Sequence, residues 1–199
     1  MVEETNKIWT PPPNLKISDW ADRYRRLSPE SSAESGQWKT DRAPYQKEIM
    51  DAFNDPETQR IVWMKSSQVG ATEVLLNVIG YYIDQDPAPM LCMQPTLAMA
   101  QAFSKDRLAT MIRDSERIRN CVNDPRSRDS GNTVLSKKFT GGNLAIVGSN
   151  SASGLASRAV RLLLADECDR YEASAGAEGD PILLATKRTT TFWNRKIYL

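Results

Sequence analysis

Residues 65–72, Lys-Ser-Ser-Gln-Val-Gly-Ala-Thr, have the length and polarity of a phosphate-binding loop whose lysine has moved. In the pattern G-x-x-x-x-G-K-[ST], backbone N–H groups cradle the phosphates, the lysine reaches the β- and γ-phosphates, and the last hydroxyl ligates Mg²⁺. Gly70 and Thr72 hold the sixth and eighth positions, Ala71 stands where the lysine belongs, and Lys65 replaces the first glycine. Ser66, Ser67, Gln68 and Val69 complete the candidate cradle. The chemistry needs an ammonium near the phosphates, not one fixed backbone position. A lysine at the preceding strand end can therefore fold back across the loop. Taken alone, the segment describes equally well a strand, a serine-rich helix cap and an ordinary lysine.

A second candidate lies about a hundred residues on. Val160-Arg-Leu-Leu-Leu-Ala-Asp-Glu-Cys-Asp169 reads as a buried strand that ends in two adjacent acids. In a Walker B element, Asp166 would hold Mg²⁺ through water and Glu167 would polarise the water that attacks the γ-phosphate. Strand side chains alternate faces, so the two acids take different jobs only if the chain is already leaving the strand here. By itself the segment is also a plain strand running into a polar turn. The loop and the acids together indicate hydrolysis of ATP with Mg²⁺.

Two further segments offer supporting groups. In Pro44-Tyr45-Gln46, the Gln46 amide can bond an adenine edge at two points and Tyr45 can stack on the ring, although a helix start without a ligand fits the same residues. Residues 149–161 form a small-residue loop carrying Arg158 and Arg161, either of which can serve as an arginine finger. Arg158 is the better placed of the two, because Arg161 sits at the strand onset. Pairing with a carboxylate or with a DNA phosphate explains either arginine as well.

These groups need a scaffold, and the hydrophobic pattern supplies one. Strands are expected near 60–64, 89–93, 133–139, 143–148, 160–165 and 196–199, and helices near 44–54, 71–84, 96–118 and 180–186. The helix over 96–118 should bury Leu97, Phe103, Leu108, Met111 and Ile112. Ser18 is placed to cap a short helix over 19–26, with Trp20 and Tyr24 four apart. Residues 1–17, with Pro11 to Pro13, read as an extended arm, residues 28–40 as a loop, and residues 123–132 as a polar turn. Alternating strands and helices imply an α/β fold: a mostly parallel sheet with helices on both faces, and ligands at the strands' C-terminal ends.

Composition narrows the chemistry. The chain has 199 residues, enough for one good core, with 40% hydrophobic and 26% charged residues. Its net charge of +1 gives no global field toward nucleic acid, although local basic clusters exist, among them Arg23, Arg25 and Arg26, residues 105–119, and Arg126 with Arg128. With no histidine, any base work falls to carboxylates. Cys92, Cys121 and Cys168 show neither metal-ligand nor disulfide spacing, and no signal peptide or long apolar run is present. A reducing cytoplasm and no membrane association are expected.

With these residues in view, residues 18–199 resemble the ATPase domain of tailed-bacteriophage terminase large subunits of the lambda-like GpA family. The resemblance rests on an ordered set: Pro44-Tyr45-Gln46, the Lys65–Thr72 loop with its lysine at the first position, Met93-Gln94-Pro95-Thr96, Ser157-Arg158, and Leu162-Leu-Leu-Ala-Asp-Glu-Cys-Asp169. It implies a P-loop NTPase fold of the RecA-like (ASCE) kind. The division expected is an N-terminal arm with a short helix over 1–40 and an ATPase core over 41–199. It also implies a motor in the host cytoplasm that hydrolyses ATP to drive double-stranded DNA into procapsids. Its partners would be a small terminase subunit and a portal protein, and it would work as a homo-oligomeric ring. In the family a coupling motif and an endonuclease domain follow the strand read here at 195–199, so the chain is expected to be a fragment, weakly active or inactive alone. A helicase-like nucleic-acid ATPase, or a non-hydrolysing nucleotide- or DNA-binding scaffold, is the competing reading.

Overall fold

The computed structural model describes residues 14–30, 32, 34–122 and 131–199. The proline arm, and most of the turn expected over 123–132 with Arg126 and Arg128, lie outside the described residues. In chain order the strands are β1 (Arg26–Leu27), β2 (Gly36–Gln37), β3 (Arg60–Ile61), β4 (Pro89–Gln94), β5 (Ser136–Phe139), β6 (Gly142–Gly148), β7 (Leu162–Ala165) and β8 (Lys196–Tyr198). The helices are α1 (Ile17–Tyr24), α2 (Tyr45–Asp51), α3 (Ala71–Asp84), α4 (Leu97–Ala102), α5 (Ala109–Asp114), α6 (Glu116–Cys121), α7 (Ala152–Ala156) and α8 (Pro181–Thr186).

Among the described residues, six strands make one sheet in the order β3-β8-β7-β4-β6-β5, while β1 and β2 form a separate ribbon. Every neighbouring pair in the large sheet is parallel except β5 and β6. The period-2 alternation of strand side chains sorts the apolar residues into two cores. Met90, Cys92, Leu144, Ile146, Leu162, Leu164 and Tyr198 point to one face, where they pack with α1, α2, α3 and the helices after β4. Leu91, Met93, Leu163, Ala165 and Ile197 point to the other, where Leu155 of α7 and Ala185 of α8 cover them. Strands buried on both faces must read as continuous apolar runs, which is how 89–93 and 162–165 are written.

α3 is the centre of the first core. Its sequence is apolar nearly all round, so it is buried nearly all round, between the sheet and α1, α2 and α6. Gly80 interrupts it at a propensity cost of about 1 kcal/mol relative to alanine. Packing explains the glycine: a Cβ there would lie 2.4 Å from the Trp20 ring and 2.9 Å from Ile118. Trp20 is itself fixed, fully buried and donating through Nε1 to Asp84 at 2.8 Å. The expected neighbours Trp20 and Tyr24 do meet, at 6.3 Å between ring centroids.

The local departures from expectation have tertiary causes. The helix near the N-terminus starts at Ile17, and Ser18 does not cap it. The N–H groups of Ile17 and Ser18 donate instead to Asn54 and Asp51, at 2.8 and 3.1 Å, so the end of α2 caps α1 from a distance. The long helix expected over 96–118 is four pieces: α4, a π-helical stretch over Phe103–Leu108, α5 and α6. It breaks at Ser115, whose backbone is extended and whose hydroxyl accepts from the Arg26 N–H at 3.1 Å. The π stretch changes the phase of the apolar stripe, so Phe103, Leu108 and Met111 are buried but Leu97 is exposed. The strand expected over 133–139 begins at Ser136, because Thr133 pairs back onto Ser136 in a tight bridge. No helix among the described residues is long and apolar enough to cross a membrane.

Packing decides the outcome of Gly80→Ala. The gain in helix propensity, about 1 kcal/mol, opposes an overpacking cost of about 1–3 kcal/mol against a ring that cannot move. Gly80→Ala is expected to lower the urea midpoint followed by far-ultraviolet circular dichroism; a midpoint at or above wild type would reject this packing.

Candidate active site

The strand expected over 60–64 ends at Ile61, with Val62 and Met64 exposed although the Trp63 N–H still donates to Leu199 O, and the segment over 62–70 then enters α3 at the C-terminal end of the parallel strands. Gln68 and Gly70 have positive φ values of 60° and 76°, whereas Ser67 and Val69 do not. Alternation of this kind turns successive N–H groups toward one side and makes an anion-binding nest. Gly70 ends the nest as the left-handed residue before α3, and its carbonyl accepts from Glu73 and Val74 at 3.0 and 3.1 Å. Thr72 then lies, half-buried, in the first turn.

Two side chains from the start of α2 grip this loop. Tyr45 Oη and Gln46 Nε2 both donate to the Val69 carbonyl, at 3.1 and 2.8 Å. Gln46 is buried and its Oε1 has no partner, whereas Tyr45 is 57% exposed. The sequence suggests this pair for adenine; the structure places it against the 65–70 loop, with the amide N–H committed to Val69.

The two acids separate as the alternation argument requires. Asp166 is buried and continues the strand pattern toward the α3 face, its N–H donating to Met93 O at 3.1 Å. Glu167 has φ 53° and ψ 48°, a left-handed conformation that turns the chain out of the strand into a 3₁₀ turn over Cys168–Arg170. Its carboxylate lies 3.1 Å from Arg170, whose side chain is 62% exposed. A pair that open contributes about 0–1 kcal/mol and does not lock the glutamate.

β8 lies between β3 and β7, so the loop and the carboxylates begin two strand spacings apart, about 10 Å. Lys65 spans that gap: its Nζ is 3.2 Å from Asp166 Oδ1. Lys65, Ser66, Ser67, Glu167 and Arg170 line one open cavity of about 510 Å³ between them. No group of three or more carboxylate, thiol or imidazole side chains among the described residues converges to hold a metal unaided. Magnesium bound with phosphates needs only one or two protein oxygens, so the Thr72 hydroxyl and the Asp166 carboxylate fit that ion. Burial, reinforced by the charge of Asp166, pushes the Cys168 thiol up to about 11 and the Cys92 thiol up to about 12, so neither is a thiolate near neutral pH.

The arginines do not join this cluster. Arg161 sits at the opposite end of the sheet, its N–H on Pro89 O and its guanidinium on Asp86 and over the Tyr82 ring. Arg158 is exposed and precedes Val160, whose N–H is tied to Arg188 O at that same far end. Three contacts have no signal in the local sequence pattern. Tyr171 donates to Met93 O at 3.0 Å and ties the turn after Glu167 to β4, and Glu73 pairs with both Arg25 and Arg107. An acid in the first turn of a helix is a visible signal; its two distant partners are not.

A family model described as phage terminase large subunit gpA, ATPase domain, matches residues 32–199. The chain is 29% identical over 188 residues to the terminase large subunit of Enterobacteria phage P21, covering 94% of this chain and 29% of that protein. To the terminase large subunit of Escherichia phage lambda it is 28% identical over 192 residues, covering 96% of this chain and 30% of that one. It therefore spans under a third of the length of these curated relatives. The crystal structure of the HK97 bacteriophage large terminase superposes with a TM-score of 0.67 at 11% identity, over 92% of this chain and 36% of that one, which shows the shared α/β fold. Because the family model covers most of its length, the chain belongs to the phage terminase large subunit gpA ATPase-domain family.

Proposed function

We propose that this chain binds ATP at the Lys65–Thr72 loop and hydrolyses it with Glu167 as general base. The observation that carries the reading is the Lys65–Asp166 contact of 3.2 Å, which joins the two motifs across an intervening strand. In this reading the N–H groups of residues 66–72 cradle the phosphates, helped by the positive end of the α3 dipole. Lys65 exchanges its Asp166 partner for β- and γ-phosphate oxygens, and Thr72 and Asp166 would hold Mg²⁺. The ion, when bound, neutralises phosphate charge. Glu167 takes a proton from the attacking water as the terminal phosphoryl group transfers to it, and ADP leaves with the bridging oxygen. Tyr45 stacks on the adenine through its exposed face, and Gln46 reaches the adenine amino group with Oε1 only by turning out of the buried position in which Nε2 holds Val69.

Arg158 lies away from its own loop, so as a finger it serves the site of a neighbouring copy. That role fits a homo-oligomeric ring. We propose further that the protein works in the host cytoplasm on double-stranded DNA, with a small terminase subunit and a portal protein, as the ATPase part of a packaging motor. Residues 1–40 would be its arm and residues 41–199 its ATPase core.

Three measurements test the reading. Lys65→Ala is expected to weaken binding of a fluorescent ATP analogue by about tenfold or more, as loss of a charged contact does; equal affinities would refute the assigned role. Glu167→Gln should bind ATP as wild type does and lose about 10²–10⁴-fold in hydrolysis in a full-length, DNA-stimulated assay, and retained turnover would move the base elsewhere. For Cys168, whose burial pushes the thiol up to about 11, alkylation at pH 8 should run about tenfold slower than for an exposed thiol. The lost thiolate fraction outweighs the gain in nucleophilicity, and a rapid reaction would contradict the burial described.

A further inference from the structure

We propose that Glu73 is a positioning residue for the phosphate loop, clamped by Arg25 and Arg107, and that this clamp sets the Mg²⁺-dependent part of nucleotide affinity. The proposal rests on the nucleotide reading above. Glu73 directly follows Thr72 in the first turn of α3, and both of its carboxylate oxygens are taken. Arg25 Nη2 reaches Oε2 at 2.7 Å and Arg107 Nη2 reaches Oε1 at 2.7 Å. The Glu73 and Arg25 side chains are 13% and 3% exposed, and Arg107 closes the clamp from the outside at 33%.

The clamp joins three distant stretches of chain. Arg25 follows α1, and Arg107 comes from the π-helical stretch after α4. A π turn rotates the residues after it relative to an unbroken α-helix, which is how a side chain is re-aimed within a continuous helix. Here the re-aimed side chain points to the turn that carries Thr72. The helix bearing Arg107 starts at Thr96, just beyond β4, where Met93 O holds the Asp166 N–H. The clamp thus ties the Thr72 end of α3 to the strand that holds Asp166, the other proposed Mg²⁺ ligand.

A glutamate beside a phosphate site is at first sight unfavourable, because its charge repels the ligand. Two arginines on the carboxylate offset its charge, and with Asp114 also acting on Arg25 the cluster sits near balance rather than negative beside the loop. An acid placed only to complement the α3 dipole needs no buried arginine partner. The fully occupied carboxylate points instead to control of helix position.

The test measures binding of a fluorescent ATP analogue with Mg²⁺ and with EDTA, for full-length wild type, Glu73→Gln and Arg107→Lys, with thermal unfolding as a check on folding. Glu73→Gln keeps shape and removes charge; Arg107→Lys keeps charge and loses the planar fork. Both variants should lose about tenfold in Mg²⁺-dependent affinity, as small displacements of positioned groups do, and should keep the EDTA affinity of wild type. The control Arg42→Ala, which removes an exposed pair with Glu34, should change neither value. Folded variants with the wild-type ratio of affinities would overturn the proposal, and so would both variants failing to fold, which would make the clamp a folding element alone. Wild type binding no nucleotide would defeat the functional reading itself, an outcome distinct from the first two.

Discussion

The site depends on a helix with no free face. α3 is held by the sheet below, by α1 and α2 above and by α6 at its side, so neither its height nor its direction can change without disturbing the main core. Its N-terminus is therefore fixed over the C-terminal edge of the sheet, and a fixed N-terminus is what gives backbone N–H groups a defined target. Gly80 is the clearest trace of how close that packing is. The helix accepts its least favourable ordinary residue so that Trp20 can lie against the backbone. A loop entering a looser helix would have the same residues and no fixed cradle.

Lys65 belongs to the same logic. The interposed strand β8 sets the separation between loop and carboxylates, and the Lys65 side chain, four residues beyond the end of β3, closes it. The displaced lysine is thus a matter of origin rather than of reach. Its partner Asp166 is buried, so each charge gives the other a reason to stay ordered; in the proposed function a ligand exchanges partners with an existing pair rather than ordering a mobile chain.

Much of this was legible in the residues because it depends on near neighbours. The strand before the loop, the helix after it, and the apolar run before Asp166 and Glu167 are local patterns, and the mostly parallel sheet follows from their alternation. The separation of the two acids was legible only as a condition, that the chain leave the strand between them. What stayed hidden depends on distant partners: Asp51 and Asn54 capping α1, Ser115 diverted by the Arg26 N–H, and the π stretch that left Leu97 outside. Arg158 is a different case. It precedes the strand that Asp166 follows, so a parallel sheet separates them by a strand length, and the order of the residues carries that. Tyr45 and Gln46, expected at adenine, lie beside the loop with their donors turned to Val69.

Glu167 occupies a backbone conformation that glycine or asparagine would adopt with less strain, and the usual penalty for other residues there is about 1–3 kcal/mol. At this position local folding preference and the proposed role of the acid disagree. Gln68 shares the left-handed conformation, so the domain gives up backbone stability in both of the segments that the Lys65–Asp166 contact joins.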